Sequence, residues 1–103
     1  MADIYDHEGF LLDPSMWTEQ IARDIARAEG IDMSEAHWQV VRLARQFYEE
    51  FEMSPNMRPL VNYVKRHLGP DCGNSMYLMR LFNGSAAKLT SKIAGLPKPS
   101  NCL

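Results

Sequence analysis

Stop signals at Gly30, Gly69-Pro70, Asn83-Gly84 and Gly95 cut this 103-residue chain into short segments. Between them, apolar residues recur every three or four positions. That pairing constrains the fold more than any other feature. Each segment can form an amphipathic helix of a few turns, and each must bury its stripe against the others. The length leaves room for one compact domain.

Ile4, Phe10 and Leu12 alternate loosely around the turn Asp6-His7-Glu8-Gly9, which predicts a short β-hairpin. Asp13-Pro14 is an N-cap followed by proline at the first helical position, so a first helix is expected there. Trp17, Ile21, Ile25 and Ala28 form its stripe, and Gly30 stops it. Asp32-Met33-Ser34-Glu35 has capping-box spacing and opens a second helix. Trp38, Val41, Ala44, Tyr48 and Phe51 are its buried stripe, widened by Val40 and Phe47. Glu49, Glu50 and Glu52 crowd its C-terminal end, where the helix dipole disfavours them. A solvated surface and a partner contact both fit that cluster.

Ser54-Pro55 begins a third helical stretch, which Pro59 either restarts or bends; Leu60, Val61, Val64 and Leu68 are its apolar set. Ser75 is placed to cap a fourth helix through Met76, Leu78, Met79 and Phe82, read as core packing. Ser85 is placed to cap a fifth, with Ala86, Leu89 and Ile93 facing inward. The predicted architecture is α+β, mainly α: a small N-terminal hairpin packed on about five helices. Residues 1–95 form the domain. Residues 96–103, Leu-Pro-Lys-Pro-Ser-Asn-Cys-Leu, have no helical pattern and form a flexible C-terminal arm.

Composition excludes several functions. With 46% hydrophobic and 23% charged residues the chain is not disordered, and its apolar runs are too short to span a membrane. The N-terminus lacks a basic region and an apolar core, so no signal peptide is expected. Two cysteines, Cys72 and Cys102, cannot staple a small secreted fold, which points to a reducing cytoplasm. The net charge of −2 hides a division. Residues 1–57 carry 4 Lys+Arg and 12 Asp+Glu; residues 58–103 carry 7 Lys+Arg and only Asp71. Either the two halves fold together and neutralise one another, or a basic face remains for nucleic acid or an acidic protein.

His7, His37 and His67 fall on different elements, and neither cysteine has a neighbour at zinc-site spacing, so no metal site is expected. Phosphate-cradling glycine loops and nucleophile elbows are absent from the sequence. The helical pair followed by a basic stretch from Arg58 to His67 has a weak helix-turn-helix look, but only Asn56 and Arg58 stand where bases would be read. DNA is therefore not an expected partner.

Cys102 is the one residue with distinctive chemistry. A penultimate thiol on a proline-stiffened arm is a poor core residue, and as thiolate it is a nucleophile. The terminal carboxylate disfavours the thiolate and Lys98 favours it. From Gly95 an extended arm reaches roughly 20 Å, at about 3 Å per residue. The residues alone fit both a group-carrying arm and a frayed tail.

Lys92-Ile-Ala-Gly-Leu-Pro-Lys-Pro-Ser-Asn-Cys102-Leu resembles the C-terminal arm of the DsrC/TusE family. Gly9-Phe-Leu-Leu-Asp-Pro-Ser-Met-Trp17, His37-Trp38-Gln-Val-Val41, Arg45-Gln-Phe-Tyr48 and Gly73-Asn-Ser-Met-Tyr-Leu-Met-Arg-Leu-Phe82 extend the resemblance along the chain from about Ile4. It implies a small N-terminal β-meander on a helical array. It also implies a sulfurtransferase in which Cys102 is the persulfide-forming nucleophile, with no metal or organic cofactor. Members working with dissimilatory sulfite reductase carry a second arm cysteine eleven residues upstream; here that position is Ser91. The single-cysteine pattern implies a sulfur relay from a TusBCD-type donor complex to an MnmA-type tRNA thiolase for wobble 2-thiouridine. A binding or regulatory partner of a sulfite reductase is the alternative. The family implies no role for Cys72.

Overall fold

A computed structural model describes residues 3–101. Five α-helices build it: α1 Glu19–Ala28, α2 Glu35–Phe51, α3 Met57–Leu68, α4 Ser75–Leu81 and α5 Ala86–Ile93. The helical part follows the sequence reading, but several boundaries and faces move.

The N-terminal hairpin is not formed as strands. Among the described residues, β pairing is one antiparallel bridge, Tyr5 with Leu11. Asp6 explains why the turn dominates. Its Oδ1 accepts from the backbone N–H of Glu8 and of Phe10, while Gly9 takes a left-handed φ of 88°. Those amide bonds hold the Asp6 carboxyl below its ordinary value, that of Phe10 most of all. A meander needs a further strand, and Asp13-Pro14 prevents one. Pro14 has no N–H to pair, and the Asp13 carboxylate caps a single 3-10 turn, Pro14–Met16, through Ser15 N.

That turn is not the start of α1. Trp17 is extended at ψ 138°, and Thr18 caps α1 by accepting from Ile21 N. The buried face of α1 is Ala22, Ile25 and Ala26, and Ala28 is exposed. The α2 cap is shifted two residues from the expected box. Ser34 is the N-cap, and its partner is His37. Ser34 N–H donates to His37 Nδ1 at 3.1 Å, and Nε2 meets the Leu81 carbonyl at 2.7 Å. A carbonyl only accepts and an amide N–H only donates, so Nε2 carries the ring proton. His37 thereby joins the start of α2 to the end of α4, and its ring stands edge-on to Phe82.

The inner face of α2 is wrapped by protein, with His37, Trp38, Val40, Val41, Leu43, Ala44 and Phe47 buried. Phe51, expected inside, is 47% exposed and packs at the edge of the core, its ring 4.6 Å from that of Phe47. Glu50, in the acidic cluster, accepts from the Tyr63 hydroxyl at 2.9 Å. Pro59 neither restarts nor bends α3. It sits in the first turn, where no helical N–H is needed. Asn74, not Ser75, caps α4 by accepting from Tyr77 N. Met76 and Met79, read as core, are 69% and 45% exposed; Leu78 and Phe82 are the residues of that segment that are buried.

The short α5 packs against all four other helices. Ala86, Leu89 and Ile93 are buried as predicted, and burying a Leu or Ile side chain contributes about 1.5–3 kcal/mol. Because neighbours surround it, Thr90 and Ser91 are buried too, and neither hydroxyl has a hydrogen-bond partner among the described residues.

At its end α5 forms a Schellman cap. Gly95 takes φ 72°, its N–H donates to Lys92 O, and Leu96 N–H donates to Ser91 O. The next two carbonyls are taken by side chains from elsewhere in the chain. Trp17 Nε1 donates to Ile93 O at 2.9 Å, and the Arg45 guanidinium donates to Ala94 O at 2.7 Å and to Pro14 O at 3.3 Å. The guanidinium also lies 4.3 Å over the Trp17 ring. Burial lowers its pKa from the ordinary value, and the Glu49 charge opposes that shift.

Two predictions follow from α5. Thr90→Val and Ser91→Ala each remove an unpartnered buried hydroxyl, so each should raise unfolding stability by about 0.5–1.5 kcal/mol in denaturant melts. Gly95→Ala should lower stability by about 2–4 kcal/mol and weaken the tryptophan near-UV signal. Its Cβ would overlap Trp17 Cδ1 at a left-handed position.

Candidate functional site

Cys102 lies outside the described residues, so the site is built from the chain that leads to it. The arm leaves α5 at the Gly95 cap, where Trp17 and Arg45 fix its direction. Where sequence reasoning expects a free arm over 96–103, residues 96–101 run along the body. Leu96 and Pro99 are buried. Ser54 Oγ donates to the Pro97 carbonyl. Lys98 Nζ lies 3.2 Å from Glu8 Oε1, tying the arm to the N-terminal turn. Asn56 holds the far end on both sides: its Nδ2 donates to Ser100 Oγ at 3.2 Å, and its Oδ1 accepts from Asn101 N–H at 3.0 Å. The reason is local. A Pro-Lys-Pro segment cannot satisfy its own polar groups as a helix, so side chains of the α2–α3 connection do so.

Asn101, one peptide bond before Cys102, borders two clefts. One, about 700 Å³, is lined by Asn56, Met57, Arg58, Pro59, Val61 and Ser75. The other, about 310 Å³, lies between Met57, Met79 and the Gly84–Lys88 segment. Their linings include the cations Arg58 and Lys88 and no carboxylate. Lys98, expected to act on the thiol, is instead turned to Glu8. The cationic side chains in the clefts that Asn101 borders are therefore Arg58 and Lys88.

Charge is partly neutralised between the halves. Lys92 Nζ meets Glu29 Oε2 at 2.7 Å in a largely buried pair, and Lys98 meets Glu8. Arg58, Lys65, Arg66, Arg80 and Lys88 have no ion pair among the described residues, so a basic surface on α3, α4 and the start of α5 persists.

The remaining candidates separate from this site. Ser91 is enclosed in α5. Cys72 is half-buried against the core; burial, then the neighbouring Cys72 thiol, raises the Tyr77 phenol above its ordinary value. His7 and His67 are exposed and His37 is a buried cap, and no metal-holding group occurs among the described residues. Asn56, one of the two polar residues considered for base reading, is turned to the arm. Sequence reasoning missed Ser54, Asn56, Trp17, Arg45 and Glu8 as arm contacts. Asn56 carried a misleading signal, because asparagine before a helix reads as its cap, yet α3 has no side-chain cap bond.

Known proteins share this arrangement over nearly the whole chain. Residues 3–103 match the family described as "DsrC like protein". A protein of Haemophilus influenzae named "Sulfurtransferase TusE homolog" is 47% identical over 98 residues, covering 95% of this chain and 90% of that protein. "Sulfurtransferase TusE" of Shigella dysenteriae is 50% identical with the same coverage. Among solved structures, the DsrC of Allochromatium vinosum superposes with a TM-score of 0.87 at 36% identity, over 96% of this chain and 88% of that one. The oxidized gamma-subunit of the dissimilatory sulfite reductase (DsrC) of Archaeoglobus fulgidus gives 0.73, also at 36% identity, over 95% and 90%. The helical array, the Gly95-rooted arm and the match from residue 3 to the C-terminus all agree: this chain belongs to the DsrC-like family.

Proposed function

We propose that this protein is a sulfur-relay sulfurtransferase whose covalent residue is Cys102. The reading is carried by one observation: a full-length match to proteins named sulfurtransferase TusE in a chain whose arm has a single thiol. Ser91, where the two-cysteine members have their second thiol, cannot form a disulfide or a persulfide. That favours carrying over internal redox chemistry.

The chemistry is thiol exchange. The Cys102 thiolate attacks the outer sulfur of a donor persulfide, the donor S–S bond breaks, and the donor leaves as thiolate. Cys102 then bears the sulfur as a persulfide. An acceptor thiolate attacks that outer sulfur in turn and releases the Cys102 thiolate. Neither step changes the total of thiols and persulfides, and neither requires a metal or an organic cofactor. We assign the donor to a TusBCD-type complex and the acceptor to an MnmA-type tRNA thiolase acting on the wobble uridine. Such exchange needs a reducing compartment, which supports the cytoplasm. Among the described residues, no helix is long and apolar enough to cross a membrane.

A second reading, a binding partner of a sulfite reductase, is favoured by the likeness to the Archaeoglobus fulgidus gamma-subunit. It makes Cys102 dispensable. Mass spectrometry separates the two. Incubation with a persulfide donor should add about 32 Da, one sulfur, to the C-terminal peptide, and Cys102→Ser should abolish the adduct without altering the melting curve. An adduct that survives in Cys102→Ser contradicts the sulfurtransferase reading.

The unpaired cations also make a prediction. Reversing Arg58, Arg80 and Lys88 to Glu should weaken donor binding by about tenfold at low ionic strength and flatten its salt dependence. An unchanged salt slope removes the electrostatic part of the account.

A further inference from the structure

The placement of Asn56 has a cost that the fold itself does not explain. It occupies the N-cap position of α3, with extended backbone at ψ 174°, and asparagine is among the best capping residues. Its carboxamide nevertheless makes no cap bond. Both of its functional atoms are used on the arm, Nδ2 to Ser100 Oγ and Oδ1 to Asn101 N–H. Asn101 is the last residue before Cys102.

We propose that Asn56 is a positioning residue for sulfur transfer: it clasps the arm one residue before the thiol and exchanges that clasp for the cap of α3 when the arm is withdrawn. The exchange is stereochemically economical. A capping side chain accepts from the second or third N–H of its helix, and the third residue of α3 is Pro59, which has none. Arg58 N–H is therefore the donor available to Oδ1 once Asn101 N–H leaves. Oδ1 loses one backbone N–H donor and gains another, so withdrawal leaves it bonded in both states. Of the other arm contacts, the Lys98–Glu8 ion pair is half-exposed and weak in water, whereas Ser54 and Pro99 are buried where the arm lies on the body. The Gly95 root is held by the part-buried Trp17 and Arg45 contacts, the Arg45 guanidinium bridging to Pro14 O as well. The motion is thus a hinge just beyond Leu96, with Asn56 as its catch.

The functional role of the catch rests on the Cys102 reading, but the clasp can be measured without sulfur chemistry. Three variants separate its parts. Asn56→Ser can cap α3 but is too short to hold the arm; Asn56→Asp keeps an acceptor for Asn101 N–H; Asn56→Ala does neither. Amide hydrogen exchange on the full chain should show Asn101 exchanging at least about fivefold faster in Asn56→Ser and Asn56→Ala, with protection retained in Asn56→Asp. Amides of α2 and α5 should be unchanged in all three. Alkylation of Cys102 by iodoacetamide, followed on the C-terminal peptide, should change at least about twofold in Asn56→Ser and return toward the parent rate in Asn56→Asp. Equal Asn101 exchange in the parent and Asn56→Ser overturns the clasp. Altered exchange with unaltered alkylation overturns the positioning role. Neither result depends on whether Cys102 accepts sulfur, so failure of this proposal is distinct from failure of the sulfurtransferase reading.

Discussion

The structure turns on how the C-terminal end of α5 is satisfied. A helix end leaves four carbonyls without helical partners, and in a buried helix each needs one. Here the Schellman cap at Gly95 takes those of Ser91 and Lys92, and Trp17 and Arg45 take those of Ile93 and Ala94. Arg45 donates also to Pro14 O, so one guanidinium joins α2, the N-terminal 3-10 turn and the root of the arm. The described N-terminal segment, which forms a single bridge, is held by that joint, by the Asp6 turn, by the Lys98–Glu8 ion pair and by the Lys92 ammonium over the Phe10 ring. Rigidity at the root is what makes the arm useful. A fixed origin and a short extended reach deliver its end to a defined place.

Polar contacts along the arm form a gradient. At the root they are part-buried and shared among several elements. Toward the tip they become single, exposed and exchangeable, ending in the Asn56 carboxamide. Around the tip the surface also changes character. Arg58 and Lys88 border it, Met57 and Met79 line its clefts, and Met76 and Met79 stand exposed on α4. Methionine side chains are flexible and adapt to differently shaped apolar surfaces. That tolerance suits the relay proposed here, in which one surface meets a donor and then an acceptor.

Much of this was legible in the sequence because it is local. Five helices followed from apolar periodicity and from the stops at Gly30, Gly69, Asn83-Gly84 and Gly95. What failed depended on distant partners. Asp13-Pro14 looked like the start of α1, but the Trp17 indole is drawn to Ile93 O, 76 residues away, and the helix begins after Thr18. Met76 and Met79 kept helical spacing with Phe82, yet among the described residues no element covers that face of α4. The hairpin is reduced to the Tyr5–Leu11 bridge, with Asp6 N–H to Phe10 O and Leu12 N–H to Ile4 O beside it, because the Asp6 side chain takes the Phe10 amide that a strand ladder would use. In the site, Cys102 stood out by position alone. The contacts of the arm before it, Ser54 and Asn56, were invisible because they looked like ordinary features of a helix start.

The central claim is that sulfur passes through Cys102 as a covalent cargo. Single-turnover transfer of isotopically labelled sulfur from a persulfide donor, through this protein, to a thiolating enzyme with its tRNA tests it most directly. The account predicts that label appears on the C-terminal peptide and decays as labelled thiouridine forms, at matching rates. Label that reaches the tRNA at full rate without ever residing on Cys102 would contradict it.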